Sequence, residues 1–242
     1  MRGYFSRGSR IMEPMAEPAV EATKLITLKE VKANPEFKHL ITGANDVMMA
    51  MGFTEHGHRH SGVVSSITRY ILQHSGDTER EQELGAIAGY LHDMGNVVNR
   101  LDHPMIGASM CYTILHEMGM DAREIAPIIG AIGNHEEGAG LPVSRISAAL
   151  IIADKSDVHF SRVQNPVPES FDIHDRVNFA VQKSRIEMSS EHRDILLTLE
   201  INESASVMEY FEIFLIRMVM CRRSAEILGY EFKLMVNGTL LS

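Results

Sequence analysis

Six side chains of this 242-residue sequence are of types that can bind a metal ion, and they stand on segments with helical spacing: His60, His92, Asp93, His103, His135 and Asp154. His60 shares a face with Val64, Ile67 and Ile71, so it points inward. Alone, it would read as a hydrogen-bonded core histidine. His92 and Asp93 follow Leu84, Ile87, Ala88 and Leu91, which places an imidazole and a carboxylate at the buried end of another helix, before Gly95. Asp154 ends the apolar run Ala149-Leu150-Ile151-Ile152-Ala153. A buried carboxylate without a partner costs on the order of several kcal/mol, and pairing or a metal ion removes that cost. A salt bridge from Lys155 or Arg145 would satisfy Asp154 alone. Inward carboxylates among inward imidazoles are better explained by a divalent cation, and this donor set suits iron, manganese, zinc, cobalt or nickel without choosing among them.

Positive side chains near these residues are candidates to grip phosphate: Arg59, Arg100, Arg145 and Lys155. Planar guanidinium forks match phosphate oxygens in pairs, which favours the arginines over the lysine. An ordinary surface ion pair is the competing reading for each. His56 and His58, close to His60, are candidates to touch substrate or support a ligand, while the remaining histidines read as surface or packing residues. No glycine-rich phosphate loop, GxSxG elbow or Ser/His/Asp order is present.

Stepping outward, the elements that must position these groups are mostly helices. Thr27 and Glu30 form a capping-box pair, and Asn34-Pro35 opens a helix whose stripe runs through Phe37, Ile41, Ala44 and Met48. Further helices are predicted near 60–75, 79–94, 104–119, 121–134 and 144–158, with Pro127 expected to kink or delay the fifth. After Pro166 and Pro168, alternation at Val177, Phe179 and Val181, and again at Ile195 to Ile201, predicts an antiparallel hairpin turning through 189–193. A long helix over 204–228 and a final strand at Phe232–Val236 complete a small C-terminal α+β unit. Three regions result: a flexible N-terminal extension (1–23), a helical metal-binding domain (24–165) and the α+β unit (166–242). In the long helix Val207, Phe211, Phe214 and Met218 are expected on the strands. That leaves Met208, Leu215 and Val219 for the helical domain or for a second copy in a homodimer.

Formal net charge is −9, with no Lys/Arg cluster, so a nucleic-acid polymer would be repelled over most of the surface. Cys111 and Cys221 are the two cysteines, far apart, and read as core residues rather than a disulfide framework. No signal-peptide core is seen, and the apolar run 207–221 is interrupted by Glu209, Glu212 and Arg217, short of a membrane span. A cytoplasmic protein without a membrane partner is expected.

His60, then Leu91-His92-Asp93-Met94-Gly95, then Ala153-Asp154 resembles the H…HD…D pattern of the HD superfamily of metal-dependent phosphohydrolases, over roughly residues 36–165. His103 and Asn134-His135-Glu136 resemble the two extra histidines of its dinuclear members, including the HD-type diadenosine tetraphosphatases. The resemblance implies a mainly α, HD-type helical bundle holding one or two divalent ions, iron or manganese first, then zinc, cobalt or nickel. It also implies hydrolysis of a phosphate ester or anhydride of a nucleotide or similar small phosphorylated metabolite. His60, His92 and Asp154 would hold one ion and His103 and His135 the other. Asp93 would bridge them and orient the attacking water, and Arg145 would steady the developing charge. Two other readings share these residues: a mixed-valence di-iron oxygenase, and a non-catalytic nucleotide-binding module. Asn96 stands where the family often has lysine. The segment 134–142 lacks the tyrosine and paired histidines of cyclic-di-GMP phosphodiesterases, which argues against that activity.

Overall fold

A computed structural model describes residues 24–138, 140–204 and 206–241, so the expected extension over 1–23 lies outside the described residues. Helix α1 (Leu28–Ala33) opens on the Thr27–Glu30 capping box, and α2 (Pro35–Ala50) on Asn34, whose side chain accepts from the Glu36 and Phe37 N–H groups. Then follow α3 (His58–His74) and α4 (Glu79–Leu91), the latter opened by a second capping box between Thr78 and Glu81. A 3-10 turn (Met94–Val97) leads to α5 (His103–Glu117), α6 (Ala122–Gly133) and α7 (Arg145–Ser156). Pro127 lies inside α6 without delaying it: Asp121 caps the Arg123 N–H and the helix starts at once.

Helix α4 is the centre of this bundle. From Leu84 to Leu91 every residue is buried, and its neighbours are α3, α6 and α7. The contact with α3 is close because of Gly89, where an added Cβ would lie 2.9 Å from Ser65 Cα. Ser65 and Thr68 on the facing helix do not waste hydroxyls in this apolar layer: their Oγ atoms donate to the Ala86 and Val64 carbonyls at 2.7 and 2.8 Å.

The C-terminal unit departs from expectation at its start. Val177 and Phe179 lie in a helix, α8 (Ile173–Ala180), capped by Asp172, and only from Val181 does the chain become a strand. The burial of Val177 and Ala180 with Phe179 exposed follows a helical period, which a short alternating stretch imitates. Strands β1 (Val181–Ser189) and β2 (Asp194–Ile201) form the expected antiparallel hairpin. Helix α9 (Val207–Leu228) then carries the chain to β3 (Glu231–Val236), which pairs parallel with β2, and the Asn237-Gly238 turn leads to an unexpected short β4 (Thr239–Leu240).

Helix α9 buries Tyr210, Phe214, Cys221, Ala225 and Leu228 and packs on α7 as well as β3, fixing the α+β unit to the helical bundle. Met208 and Leu215 stay 75% and 56% exposed, so they are not the side chains that meet the bundle. The Val207 side chain lies outside those described. Cys111 and Cys221 are buried, unpaired core residues. Among the described residues no helix is long and apolar enough to cross a membrane.

The α3–α4 contact generates a first prediction. Gly89→Ala forces a methyl group against the Ser65 backbone, and chemical denaturation should show a loss of about 1–3 kcal/mol, the usual cost of overpacking.

Candidate metal centre

Five helix ends converge on one buried point. His60 is the third residue of α3, His92 caps the C-terminus of α4 with Asp93 next to it, and His103 is the first residue of α5. His135 follows the end of α6 and Asp154 is in the last turn of α7. Packing of the 3-10 turn on α5 requires Gly95, since a Cβ there would collide with the His103 carbonyl and lie 2.6 Å from Gly107 N.

At this point the four imidazoles present their Nε2 atoms to one another and to two carboxylates. His60 and His92 approach at 3.3 Å, and His103 and His135 at 3.1 Å, Nε2 to Nε2 in both cases. Asp93 lies between the pairs. Its Oδ2 is 3.5 Å from His60 and 3.2 Å from His92, while Oδ1 is 3.3 Å from His103 and 3.5 Å from His135. Asp154 Oδ1 closes the first group, 3.3 Å from His60 and 3.6 Å from His92. The six residues named from sequence are thus brought together, divided into His60/His92/Asp154 and His103/His135 with Asp93 facing both.

The opposite face of each ring is tied down. His92 Nδ1 is 3.0 Å from the Gly89 carbonyl, His103 Nδ1 2.7 Å from that of Arg100, and His135 Nδ1 2.6 Å from that of Ile132. A carbonyl only accepts, so each Nδ1 carries its proton and Nε2 is left to face inward. His60 differs: its Nδ1 donates to Asp157 Oδ2 at 2.6 Å. These are the outer contacts that orient metal-binding histidines.

Charge reinforces the geometry. Burial lowers the proton affinity of His60 and His92, as Arg162 does that of His60, but Asp93 and Asp154, with Asp157 at His60, outweigh these effects and raise the rings to about 9 and 10. Burial disfavours ionised Asp93 and Asp154, yet His92 above all for the first and Lys155 for the second hold both carboxyls well below the usual range. The centre therefore demands positive charge, which protons or a bound cation can supply.

The basic candidates divide. Lys155 is buried, with Nζ 2.8 Å from Asp154 Oδ2 and 3.3 Å from Glu137, and so supports a ligand. Arg100 Nη1 lies against the His103 ring, 3.0 Å from Nδ1 and 3.1 Å from Nε2, while Nη2 donates to Glu136 at 2.7 Å. Arg59 is held by Glu55 and Asp157. Arg145 is a correction. It forks onto Asp77 at 2.5 and 2.8 Å and donates to the Ser75 carbonyl, and it begins the helix that Asp154 ends. Nine residues of helix put about 13 Å between their backbones. His56 lies beside His60, ring centres 5.6 Å apart, whereas His58 contacts Thr42 and Tyr90. Asn96 is buried and donates to both the backbone and carboxylate oxygens of Asp93, so its position faces the ligand rather than a substrate.

Sequence reasoning missed Asp157, Glu136 and Arg162. Asp157 follows Asp154 by one helical turn, and Glu136 adjoins His135; those spacings were the available signal. Glu136 joins His103 and His135 in a third possible ligand group. Arg162 donates to the Glu55 and Asp157 carbonyls, and nothing local in sequence marks it.

Residues 57–159, which contain all six converging side chains, match the family model described as HD domain. The chain carries an HD domain. No curated protein matches it. HD domains belong to a superfamily of metal-dependent phosphohydrolase type, and the His/Asp groups of this one could hold a divalent metal.

Two predictions test this description. Arg145→Met leaves buried Asp77 without its partner, so stability should fall by about 1–2 kcal/mol while the metal content of the HD domain is unchanged. Because the raised His60 and His92 hold protons at neutral pH in the ion-free protein, cation uptake must displace them. Calorimetry in buffers of different ionisation enthalpy should show proton release at pH 7, and affinity should weaken as pH falls.

Proposed function

We propose that this HD domain is a dinuclear metal-dependent phosphohydrolase acting on a nucleotide or similar small phosphorylated metabolite. The observation that carries the reading is Asp93, whose two oxygens face two separate imidazole pairs, as a bridging carboxylate would. His60, His92 and Asp154 would hold one ion, His103 and His135 the other, with iron or manganese as the first candidates. The chemistry of the donor set fits: neutral Nε2 atoms and carboxylates suit divalent transition metals, and no thiolate is offered. When bound, such ions acidify water and draw charge from phosphoryl oxygens.

The chain's own residues do the rest. Asp157 fixes the orientation of His60, and Lys155 holds Asp154 in place and keeps it ionised. Arg100, set against the His103 ring, is placed to meet an anion next to the second ligand group, a role Arg145 is too distant to share. A small substrate in a cytoplasmic setting agrees with the acidic overall charge, which disfavours a nucleic-acid polymer.

Mass-spectrometric metal counting on the iron- or manganese-reconstituted protein tests the assignment. Asp93→Asn keeps the shape but removes the charge shared by both groups, and should lose most of the metal and all phosphate release. His103→Ala should lose one ion per chain and keep the helical circular dichroism spectrum. If the wild type and His103→Ala both hold a single ion, the dinuclear proposal is wrong. Oxygen uptake without phosphate release from a nucleotide panel would replace hydrolysis with oxygenation.

A further inference from the structure

A cleft with a volume of ≈ 120 Å³ is lined by both parts of the chain. His56, Arg100 and Arg162 come from the helical part, and His174 and Asn178 of α8 and Arg217 of α9 from the C-terminal unit. It borders the metal centre. Arg100 touches the His103 ring and His56 packs edge-on beside His60, so a molecule in the cleft lies one side chain away from each ligand group. At that size the cleft takes a compact group such as a phosphate rather than a whole drug-sized molecule.

The lining is strongly cationic, with three guanidiniums against one lining carboxylate, Asp172, whose Oδ1 already accepts from the Asp175 N–H. Arg162 is buried, yet its donors go to neutral carbonyls, and the nearest carboxylate oxygen, Asp157 Oδ2 at 3.8 Å, is already taken by Arg59 and His60. Arg217 pairs through Nε with Glu137 at 2.5 Å, and its guanidinium lies over the Phe214 ring, Cζ 4.7 Å from the ring centre. Among the described residues its two Nη groups have no hydrogen-bond partner. A fork that is oriented and half-used, beside a buried cation without a close carboxylate of its own, suits an oxyanion.

We propose that this cleft is an oxyanion subsite of the metal centre, where Arg217, with Arg100 and Arg162, holds a phosphate group of the substrate. The C-terminal unit is then a working part of the site, and His174 and Asn178 face the uncharged remainder of the molecule. The proposal rests on the phosphohydrolase reading for its substrate class and on the cleft for its residues. The competing role for Arg217 is purely structural, a tie from α9 to Glu137.

Calorimetric titration of the metal-loaded protein with inorganic phosphate separates the two. Arg217→Gln should bind phosphate about tenfold more weakly with unchanged metal content, the size expected for a lost charge-assisted pair. Glu137→Gln breaks the same tie but leaves the guanidinium; because Glu137 also lies 3.3 Å from Lys155, it is compared at equal metal content, where it should bind phosphate at least as well as wild type. The subsite is overturned if Arg217→Gln equals wild type, if Glu137→Gln weakens binding as much as Arg217→Gln, or if wild type takes up no millimolar phosphate. Repeating the titration after chelation keeps the two proposals distinguishable. A failed metal assignment appears as absent ions, whereas the difference between wild type and Arg217→Gln persists without them.

Discussion

The surroundings of Asp93 set the conditions for the whole bundle. A carboxylate taken out of water among four imidazoles is tolerable only if positive charge sits at the same place, and its two oxygens ask for that charge on two sides. Meeting the demand requires five helix ends to reach one point, so the helices cannot simply pack by apolar area. Gly89 lets α3 and α4 approach, and Gly95 lets the turn after the HD dipeptide lie on α5. The order of elements follows from this convergence, with apolar stripes supplying adhesion and the polar centre supplying register.

Around the centre, charge is arranged in alternating shells. Asp93 and Asp154 are innermost, His60, His92 and Lys155 surround them, and Asp157, Glu136 and Glu137 lie outside, paired in turn with Arg59, Arg100 and Arg217. In a chain of net charge −9, most of the cations near the centre are thus matched by carboxylates.

Much of this was legible in the sequence for a simple reason: a polar residue on an apolar helical face is visible as an inconsistency. His60, His92, Asp93 and Asp154 all announced themselves in that way, and the capping residues at 27 and 34 marked helix starts because their chemistry is local. What escaped was what depends on distant contact. Arg145 stood near Asp154 in sequence, but they occupy opposite ends of one helix. Arg162 and Arg217 line the neighbouring cleft from a 3-10 turn (Phe160–Arg162) and from α9, and no local pattern distinguishes them from surface arginines. The segment 173–180 was misread because five residues of alternation fit both a strand and one side of a short helix, and the Asp172 cap decides for the helix.

The anchoring of the imidazoles has a consequence for how such a centre could be tuned. Three of the four rings are tied to main-chain oxygens, which no single substitution can delete, so their orientation is inherited from the backbone and is insensitive to drift in neighbouring side chains. His60 alone leans on a replaceable group, the carboxylate of Asp157. Basicity of the ligand set can therefore be adjusted at one ring without disturbing the other three, and variation at position 157 is the adjustable screw by which descendants of this sequence could change their choice of metal while keeping the same scaffold.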